Sequence, residues 1–401
     1  MTGDREVPLV WIIAGEPSGD FLGARLIASL RERTNGNIRI DGVGGEEMGN
    51  EGLTSLFPIS DIAVMGLIEI IPRLPLIKRR MRETVSRIRA DKPDIVISID
   101  APGFCYDIWK GLGDSGIPIV HYVAPTVWAW RPGRAKKFAA ELDHLLALMP
   151  FEPPFFEKEG LDTTFVGHPV LEATAGQGKG TAFRADKLIG EELNVVTVLA
   201  GSRRGEIRKM LPVFRLASRQ ITDRYPETVY VFPTISYLKD NVVRETAGWP
   251  GRVIIVDTAE EKYNAFAASN AAMAASGTVS LELAMAGVPH VVAYRMNALT
   301  VLIVKMLHGV NQKYANLLNI LLDQEVVPEF IQENCSPDLI ADSVGELIGG
   351  GDVLERQKAL IKEALERLRP SSGTPSAAAS GVVLSILNAH KNREASSYDH
   401  G

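Results

Sequence analysis

Residues 276–289 read SGTVSLELAMAGVP, a turn of small residues that leads into a short helical pattern. Helix-forming residues fill positions 279–286, and Gly287 and Pro289 are typical of the end of a helix. The apolar residues 271–275 come directly before the turn and predict a buried strand. This stretch therefore predicts the strand–turn–helix unit of an α/β protein.

The same alternation of apolar strands and helices recurs along the chain and predicts parallel, doubly wound sheets with helices on both faces. The other predicted strands cover residues 7–14, 38–43, 95–99, 117–123, 145–149, 164–166, 194–199, 229–233, 253–256 and 290–294. A small, polar, glycine-rich run at 173–180 separates two halves that share this pattern. We therefore predict two Rossmann-like domains, residues 1–172 and 181–370, which face a cleft with a ligand held on each side.

The C-terminal part of the chain carries two more helical patterns. A charged amphipathic helix is predicted at 352–369, and a last helix at 381–390 follows a low-complexity turn at 371–380. We predict that residues 371–392 pack back on the N-terminal domain or on a partner chain. Residues 393–401 are predicted to form a disordered tail.

The composition is that of a globular protein of 401 residues, with 46% hydrophobic and 23% charged residues. The net charge of -6 argues against a general nucleic-acid binder. The cysteines Cys105 and Cys335 fit neither a metal-binding nor a disulfide pattern, which favours a reducing compartment. No run approaches the ~18 apolar residues of a membrane span. We therefore predict a cytoplasmic protein and leave peripheral membrane contact open.

The opening turn is suited to an anion. Ser276, Gly277 and Thr278 let a ligand approach the backbone, and the first amides of a helix have no partner while its dipole is positive there. Glu282 lies one turn into the helix and could accept two hydrogen bonds from a ribose diol. The alternative is a capped helix with a solvated glutamate.

A second turn of this kind follows the predicted strand at 194–199 and reads AGSRRGEI. Ser202 and Arg203 lie where a diphosphate would approach a helix N-terminus, and an arginine can neutralise charge that develops on a leaving group. The alternative is a solvated arginine at a helix start. Two anion-suited turns in one half of the chain favour the functional interpretation.

Two loops of the first half carry carboxylates directly after predicted strands. The sequence IDAPGF places Asp100 where a general base of a cleft would lie, although it could instead cap the next helix. In GEPSGD, Glu16 could contact a substrate, while Ser18 or Asp20 could cap the helix that follows. The glycine-rich GVGGEEM lacks the full spacing of a dinucleotide fingerprint.

Trp128, Trp130 and Arg131 share the loop YVAPTVWAWRPGR. Sugar stacking, acyl-chain contact or a membrane interface would each use such tryptophans, and a hydrophobic plug beneath the loop is the alternative. His168, in VGHP, could contact a substrate or the other domain, but a structural histidine is the simpler interpretation.

The stretch 56–82 is apolar, contains Pro72 and Pro75, and ends in a basic cluster. An apolar surface beside cations is what a peripheral membrane site needs. From the residues alone, a core helix with a solvated basic end is the simpler interpretation.

As a set and in this order, the motifs resemble those of bacterial lipid-A-disaccharide synthases, inverting lipid glycosyltransferases of the GT-B fold. The matching stretches are AGEPSGD, GVGG with Met48, IDAPGF, YVAPTVWAWRPGR, FEPPFF, VGHP, GSRRGEI, SGTVSLELAMAGVP, and KYANLLN with VPEF behind it. The resemblance implies transfer of 2,3-diacylglucosamine from its UDP ester to 2,3-diacylglucosamine 1-phosphate, which gives a β-1,6-linked disaccharide 1-phosphate and UDP. It also implies lipid A biosynthesis in a Gram-negative bacterium, with no cofactor and no tightly bound metal. The sequence contains no Asp-x-Asp pair of the kind that holds a metal on a sugar diphosphate.

The resemblance implies a role for each matching residue. The catalytic residues would be Asp100, as the base for the acceptor 6-hydroxyl, Glu16 and Arg203. The UDP-binding residues would be Ser18, Ser202, Arg203, Ser276, Gly277, Thr278, Glu282 and Asn316. The acceptor or lipid contacts would be Met65, Trp128, Trp130, Arg131 and His168. The membrane-facing residues would be Ile68, Ile71, Leu74, Lys78, Arg79, Arg80 and Arg82.

The implied partners are the two acylated sugars and anionic lipid, with the protein peripheral on the inner membrane and no nucleic acid bound. Family members form homodimers in some cases by exchanging C-terminal parts. Two rival functions use the same fold: a UDP-sugar 2-epimerase, and a non-catalytic UDP-sugar-binding protein docked on a membrane. An epimerase would release UDP without an acceptor, and a binding protein would tolerate loss of the Asp100 carboxylate.

Overall fold

A computed structural model describes residues 7–63, 67–128, 133–275, 277–295 and 313–398, with the backbone alone given at 67–70 and 394–398. The chain forms two compact units: unit 1 is Met1–Pro169 with Leu368–Gly401, and unit 2 is Val170–Arg367. The chain thus enters unit 2 just before the predicted glycine-rich linker and leaves it just before the predicted boundary at 370.

Unit 1 is built from a parallel sheet and the helices that cover it. Its strands are β1 (Leu9–Ala14), β2 (Arg39–Val43), β3 (Ile95–Ile99), β4 (Ile119–Tyr122), β5 (His144–Ala147) and β6 (Thr163–Phe165). Its first helices are α1 (Pro17–Arg33), α2 (Glu46–Asn50), α3 (Leu67–Asp91), α4 (Pro102–Leu112), α5 (Arg134–Ala139) and α6 (Pro153–Glu157). A 3₁₀ turn lies at Ile59–Asp61.

Unit 2 repeats this architecture. Its strands are β7 (Val195–Leu199), β8 (Val229–Pro233), β9 (Arg252–Val256), β10 (Ala271–Ala275), β11 (His290–Tyr294) and β12 (Glu329–Ile331). Its described helices are α7 (Gly180–Asp186), α8 (Arg204–Arg224), α9 (Lys239–Glu245), α10 (Ala259–Ala268), α11 (Val279–Met285), α12 (Leu317–Leu322), α13 (Pro337–Gly349) and α14 (Asp352–Arg367). The chain then returns to unit 1 as α15 (Pro375–Tyr398).

The order of the strands fixes one switch point in each sheet. In unit 1 the order is β2-β1-β3-β4-β5-β6, and in unit 2 it is β12-β11-β10-β7-β8-β9, with every described pair parallel. The direction of strand addition reverses between β1 and β3 and between β7 and β10. Ligands of such sheets bind beyond the carboxyl ends of the strands at this reversal. The predicted α/β fold with two doubly wound sheets is confirmed.

The strands are apolar on both faces because helices cover both faces. In β1, Trp11 and Ile13 belong to the core beneath α3 and α4. Val10 and Ile12 belong to the opposite core, beneath α1 and α15. All six residues of β1 are buried.

The C-terminal helix α15 completes the second of these cores. Ala379, Val383 and Leu387 are buried in it. The buried hydroxyls of Ser29 and Ser380 lie 2.7 Å apart and join α1 to α15. Unit 1 therefore depends on the last helix of the chain.

Replacement of Leu387 by alanine should destabilise the protein by roughly 2–5 kcal/mol, because it leaves a cavity in a packed core. The matched control is Leu216→Ala, on the exposed face of α8, which should change stability by no more than about 0.5 kcal/mol. Denaturant unfolding monitored by circular dichroism measures both. Equal losses in the two variants would show that α15 does not belong to the core of unit 1.

Candidate functional site

The switch point of unit 1 brings the loops after β1 and β3 into contact. A Cβ atom added to Gly15 would overlap the Cβ of Ala101, so this approach needs a glycine. Asp100 and Ala101 adopt left-handed conformations, with φ of 55° and 44°. Non-glycine residues rarely hold such angles outside sites where the surroundings enforce them.

The carboxylate of Asp100 is oriented by a donor on each oxygen. The Ser18 hydroxyl donates to Oδ2 over 3.0 Å, and the amide of Ala101 donates to Oδ1 over 2.8 Å. Asp100 is half-buried, and its carboxylate keeps further lone pairs beyond these two bonds. A substrate hydroxyl could therefore give a proton to an oxygen whose direction is already set.

The other residues of GEPSGD have separate roles. Glu16 is half-buried at the N-cap of α1, where its side chain makes no capping bond. Asp20 is buried. The prediction that it could cap its own helix is wrong. Asp20 instead accepts hydrogen bonds from the amides of Gly45 (2.6 Å), Glu47 (3.0 Å) and Met48 (3.2 Å). Asp20 thereby holds the glycine-rich GVGGEEM turn beside α1.

In unit 2 the turn after β7 presents Arg203 at the start of the long helix α8. Its side chain is 63% exposed and pairs with Glu206 Oε1 over 3.2 Å. The other oxygen of Glu206 accepts the Ser202 amide over 3.0 Å. Gly201 has a φ of 111°, and a Cβ there would overlap the Glu206 carboxylate. Glu206 thus organises both groups that we predicted for a diphosphate.

Tyr294 belongs to the same electrostatic environment, at the end of β11. Burial is the main reason that the pKa of Tyr294 is raised; the negative charge of Glu206 raises it further, and Arg203 opposes this. Neither Glu206 nor Tyr294 is among the residues predicted for the site. The only available signal was their position, next to a predicted turn and at a strand end.

The turn after β10 lies beside the turn after β7, because β10 pairs with β7. Gly277 has a φ of 147°, and no described atom lies within 4 Å of where its Cβ would be. Thr278 occupies the N-cap of α11 without a side-chain capping bond. Glu282 accepts a hydrogen bond from Lys262 of α10 over 2.7 Å. The switch point of unit 2 therefore places Ser202 and Arg203 on one loop and Gly277 and Thr278 on the next, while their contact with UDP stays a prediction.

Asn316 is buried and its amide is already engaged. Its Oδ1 accepts the amide of Leu318 over 2.8 Å, and its Nδ2 donates to the Ser280 hydroxyl over 2.7 Å. Ser280 in turn lies 2.7 Å from His290 Nε2, and His290 Nδ1 donates to the Val288 carbonyl over 2.9 Å. Asn316 thus ties α12 to α11, and its predicted contact with UDP stays a prediction.

Trp128 contacts two residues of the FEPPFF segment. Its indole nitrogen donates to Glu152 Oε1 over 3.2 Å, and its ring meets Phe151 edge-on with centroids 5.2 Å apart. Glu152 also accepts the amides of Leu148 and Met149. Burial raises the pKa of the Glu152 carboxyl to about 7, although these hydrogen bonds oppose the shift. Trp128 is therefore fixed and half-buried.

His168 is buried in unit 1, next to the two points at which the chain passes between the units (169/170 and 367/368). Its amide donates to the Leu368 carbonyl over 3.0 Å. Burial lowers the pKa of its ring to about 4. This placement favours the structural role over the predicted substrate contact.

Four predicted site residues, Met65, Trp130, Arg131 and Ser276, lie outside the described residues. The same is true of the side chain of Ile68.

Helix α3 presents an apolar and basic surface. Ile71 and Leu74 are 67% and 41% exposed. Lys78, Arg79 and Arg82 are exposed as well. None of the helices that the structure describes is long and apolar enough to cross a membrane.

Arg80 departs from the predicted membrane-facing set. Its guanidinium pairs with Asp61 and with Glu83, each at 2.6 Å, and its side chain is 17% exposed. It also lies over the ring of Phe57, 4.7 Å from the centroid. Because its charge is satisfied within unit 1, Arg80 fastens α3 to the turn at Ile59–Asp61 and is not available to a lipid.

Comparison with known proteins identifies close relatives. The family model of the lipid-A-disaccharide synthetases matches residues 10–382. The chain is 46% identical over 381 residues to the lipid-A-disaccharide synthase of Rhodospirillum centenum, with 94% of each chain covered. It is 43% identical over 387 residues to that of Paramagnetospirillum magneticum, with 96% of this chain and 99% of the relative covered.

Solved structures resemble the chain in fold. The UDP-GlcNAc 2-epimerase from Neisseria meningitidis bound to UDP-GlcNAc has a TM-score of 0.60 at 13% identity, covering 95% of this chain and 99% of that chain. MurG from Acinetobacter baumannii has a TM-score of 0.54 at 12% identity, with the same coverage. At such identities the likeness shows the fold alone, and it agrees with the predicted GT-B architecture.

The Asn316–Ser280–His290 network should make stability depend on pH. Burial lowers the pKa of His290 from 6.5 to about 4, so the folded protein keeps the ring neutral where the unfolded chain would protonate it. The stability that neutral His290 provides is complete above about pH 6.5 and falls as the pH drops toward 4.

The destabilisation caused by His290→Gln should therefore shrink by about 2 kcal/mol between pH 7 and pH 5. Denaturant unfolding of both proteins at the two pH values measures this. A destabilisation that stays constant between the two pH values would mean that His290 titrates normally in the folded protein.

Proposed function

The chain belongs to the lipid-A-disaccharide synthase family, and we propose how its own residues perform the transfer. The enzyme is a glycosyltransferase that moves 2,3-diacylglucosamine from its UDP ester to 2,3-diacylglucosamine 1-phosphate. The products are the β-1,6-linked lipid A disaccharide 1-phosphate and UDP. No observation favours an epimerase or a non-catalytic binding protein, because the similarity to solved epimerases is one of fold.

Asp100 is the proposed general base, and the orientation of its carboxylate by Ser18 and Ala101 is the observation that carries the proposal. In a single displacement, the acceptor O6 forms a bond to the anomeric carbon of the donor as the bond from that carbon to UDP breaks. The electron pair of the broken bond leaves with UDP, and the hydroxyl proton passes to Asp100. Attack from the side opposite the leaving group inverts the anomeric configuration.

Unit 2 would bind the UDP portion of the donor. The guanidinium of Arg203 is suited to the diphosphate, because it lies at the N-terminal end of the 21-residue helix α8. Ser202 would line the same turn, where its amide donates to Glu206. Gly277 and Thr278 would contribute backbone groups from the adjacent turn, and Glu282 would accept the ribose hydroxyls.

We propose that the transfer needs no cofactor, since Arg203 supplies positive charge where the diphosphate leaves. Glu16 is proposed to contact the sugar beside Asp100. Ser18, whose hydroxyl donates to Asp100, would act there through the base.

The exposed surface of α3 is proposed to contact the cytoplasmic face of the inner membrane. Ile71 and Leu74 would enter the interface, and Lys78, Arg79 and Arg82 would attract anionic lipid heads. Such contact would bring the enzyme to acylated substrates that reside in the membrane. The homodimer implied by the family stays a prediction, which the mass of the purified protein in solution tests.

Replacement of Asp100 by asparagine should lower turnover by ~100- to 10,000-fold, because the amide keeps the shape but cannot accept the proton. Affinity for UDP should stay at the wild-type value. A coupled assay of UDP release with both acylated sugars and calorimetric titration of UDP measure the two quantities. The control is Asp107→Asn, an exposed aspartate on α4. Near-normal turnover in Asp100→Asn would remove the base assignment.

Reversal of charge at Lys78, Arg79 and Arg82 to glutamate should greatly reduce binding to vesicles that contain phosphatidylglycerol, because about 1 kcal/mol of attraction is lost for each cation. Sedimentation with the vesicles measures the bound fraction. The same change at the exposed residues Arg208, Lys358 and Lys362 of unit 2 controls for net charge. If both triple variants bind equally well, the α3 surface is not the membrane contact.

A further inference from the structure

Lys262 and Glu282 form an ion pair between neighbouring helices of unit 2. The Nζ atom of Lys262, on α10, lies 2.7 Å from Oε2 of Glu282, on α11. The two side chains are 26% and 25% exposed, so the pair is reachable from solvent without being freely mobile in it. No described residue donates a hydrogen bond to Oε1 of Glu282.

Lys262 is also held by an aromatic residue of its own helix. Its ammonium lies 4.6 Å from the centroid of the Tyr263 ring. Tyr263 meets Phe266 edge-on, with centroids 6.0 Å apart. Both rings belong to the apolar cluster that includes Leu283 of α11. The cation is therefore anchored to the same core that carries Glu282.

A partly exposed ion pair of this kind contributes little to folding, typically no more than ~1 kcal/mol. The pair has a larger effect on the direction in which the Glu282 carboxylate points. A glutamate side chain has three rotatable bonds, and fixing one oxygen removes most of the arrangements of the other. A carboxylate has about four lone-pair sites, so Lys262 leaves Glu282 able to accept further hydrogen bonds.

We propose that Lys262 is a positioning residue for nucleotide recognition, which holds the Glu282 carboxylate so that it accepts the hydroxyls of a ribose. The inference rests on the proposed function, in which Glu282 binds the ribose of UDP. It adds that the choice of a ribonucleotide over a 2′-deoxyribonucleotide depends on a residue that does not itself touch the sugar. A misdirected carboxylate would lose its bond to the 2′-hydroxyl while the diphosphate contacts stayed intact.

The test compares the dissociation constants of UDP and 2′-deoxy-UDP by calorimetric titration. Wild-type protein should bind UDP about 10-fold more tightly or better, as expected for a hydrogen bond to a charged group. Lys262→Met should lose most of that ratio, through weaker binding of UDP and nearly unchanged binding of 2′-deoxy-UDP. Lys262→Arg, which keeps the cation and its donors, should restore the ratio.

Lys187→Met is the matched control. Lys187 pairs with Glu261, the neighbour of Lys262 in sequence, over 3.0 Å, and lies over the Phe183 ring. The variant therefore loses ion pairs to Asp186 and to Glu261 of α10, and a ring contact to Phe183 of α7, without touching Glu282. The nucleotide ratio should stay at the wild-type value.

Two results would overturn the inference. One is a Lys262→Met protein with the wild-type ratio, and the other is equal weakening of both nucleotides, which would make Lys262 a phosphate contact or a folding residue. Glu282→Ala, which has no side-chain acceptor, separates these from failure of the proposed site. An unchanged ratio in Glu282→Ala would remove Glu282 from the ribose, whereas a ratio lost there and kept in Lys262→Met would overturn the role of Lys262 alone.

Discussion

The close approach of Gly15 and Ala101 is the constraint on which the rest of unit 1 depends. Because β1 and β3 are neighbours at the switch point, their loops leave the sheet side by side, and one must lack a side chain. Asp100 and Ala101 then take left-handed conformations, which cost on the order of 1–3 kcal/mol each. Backbone bonds compensate, since the Asp100 amide donates to Tyr122 and the Ala101 carbonyl accepts from the first turn of α4. The strained backbone thereby helps to fix the direction of the Asp100 carboxylate.

In unit 2, ion pairs orient the functional side chains. Its two functional loops also follow strands that flank a switch point, but the charged side chains of Arg203 and Glu282 are longer than that of Asp100. Each is held by a partner of opposite charge: Glu206 holds Arg203, and Lys262 holds Glu282. Short polar groups in unit 1 and ion pairs in unit 2 thus serve one purpose, which is to limit the arrangements that a reactive or binding group can adopt before a substrate arrives.

The fold could be predicted from the sequence because buried parallel strands leave apolar runs, and loops after such strands lie at one edge of a sheet. That reasoning reached Asp100, Arg203 and Glu282. It missed β12, whose three residues are too short for a recognisable pattern. It also could not assign Arg80 or Asp20, because Asp61 and Gly45, which bond to them, lie 19 and 25 residues away along the chain and are brought there by packing. Spacing shows which side chains share a region, but not which of them bond.

The return of the chain as α15 has a consequence for how the protein is made. Unit 2 is continuous in sequence, so its core can close as soon as residue 367 has left the ribosome. Most of unit 1 is synthesised first, but its core is completed last, because one face of its sheet packs against Ala379, Val383 and Leu387 of α15. Until then the core that contains Val10 and Ile12 lacks the side chains of α15. The nascent N-terminal half is therefore the part of the molecule that most needs protection from aggregation, even though both halves end with cores of the same kind.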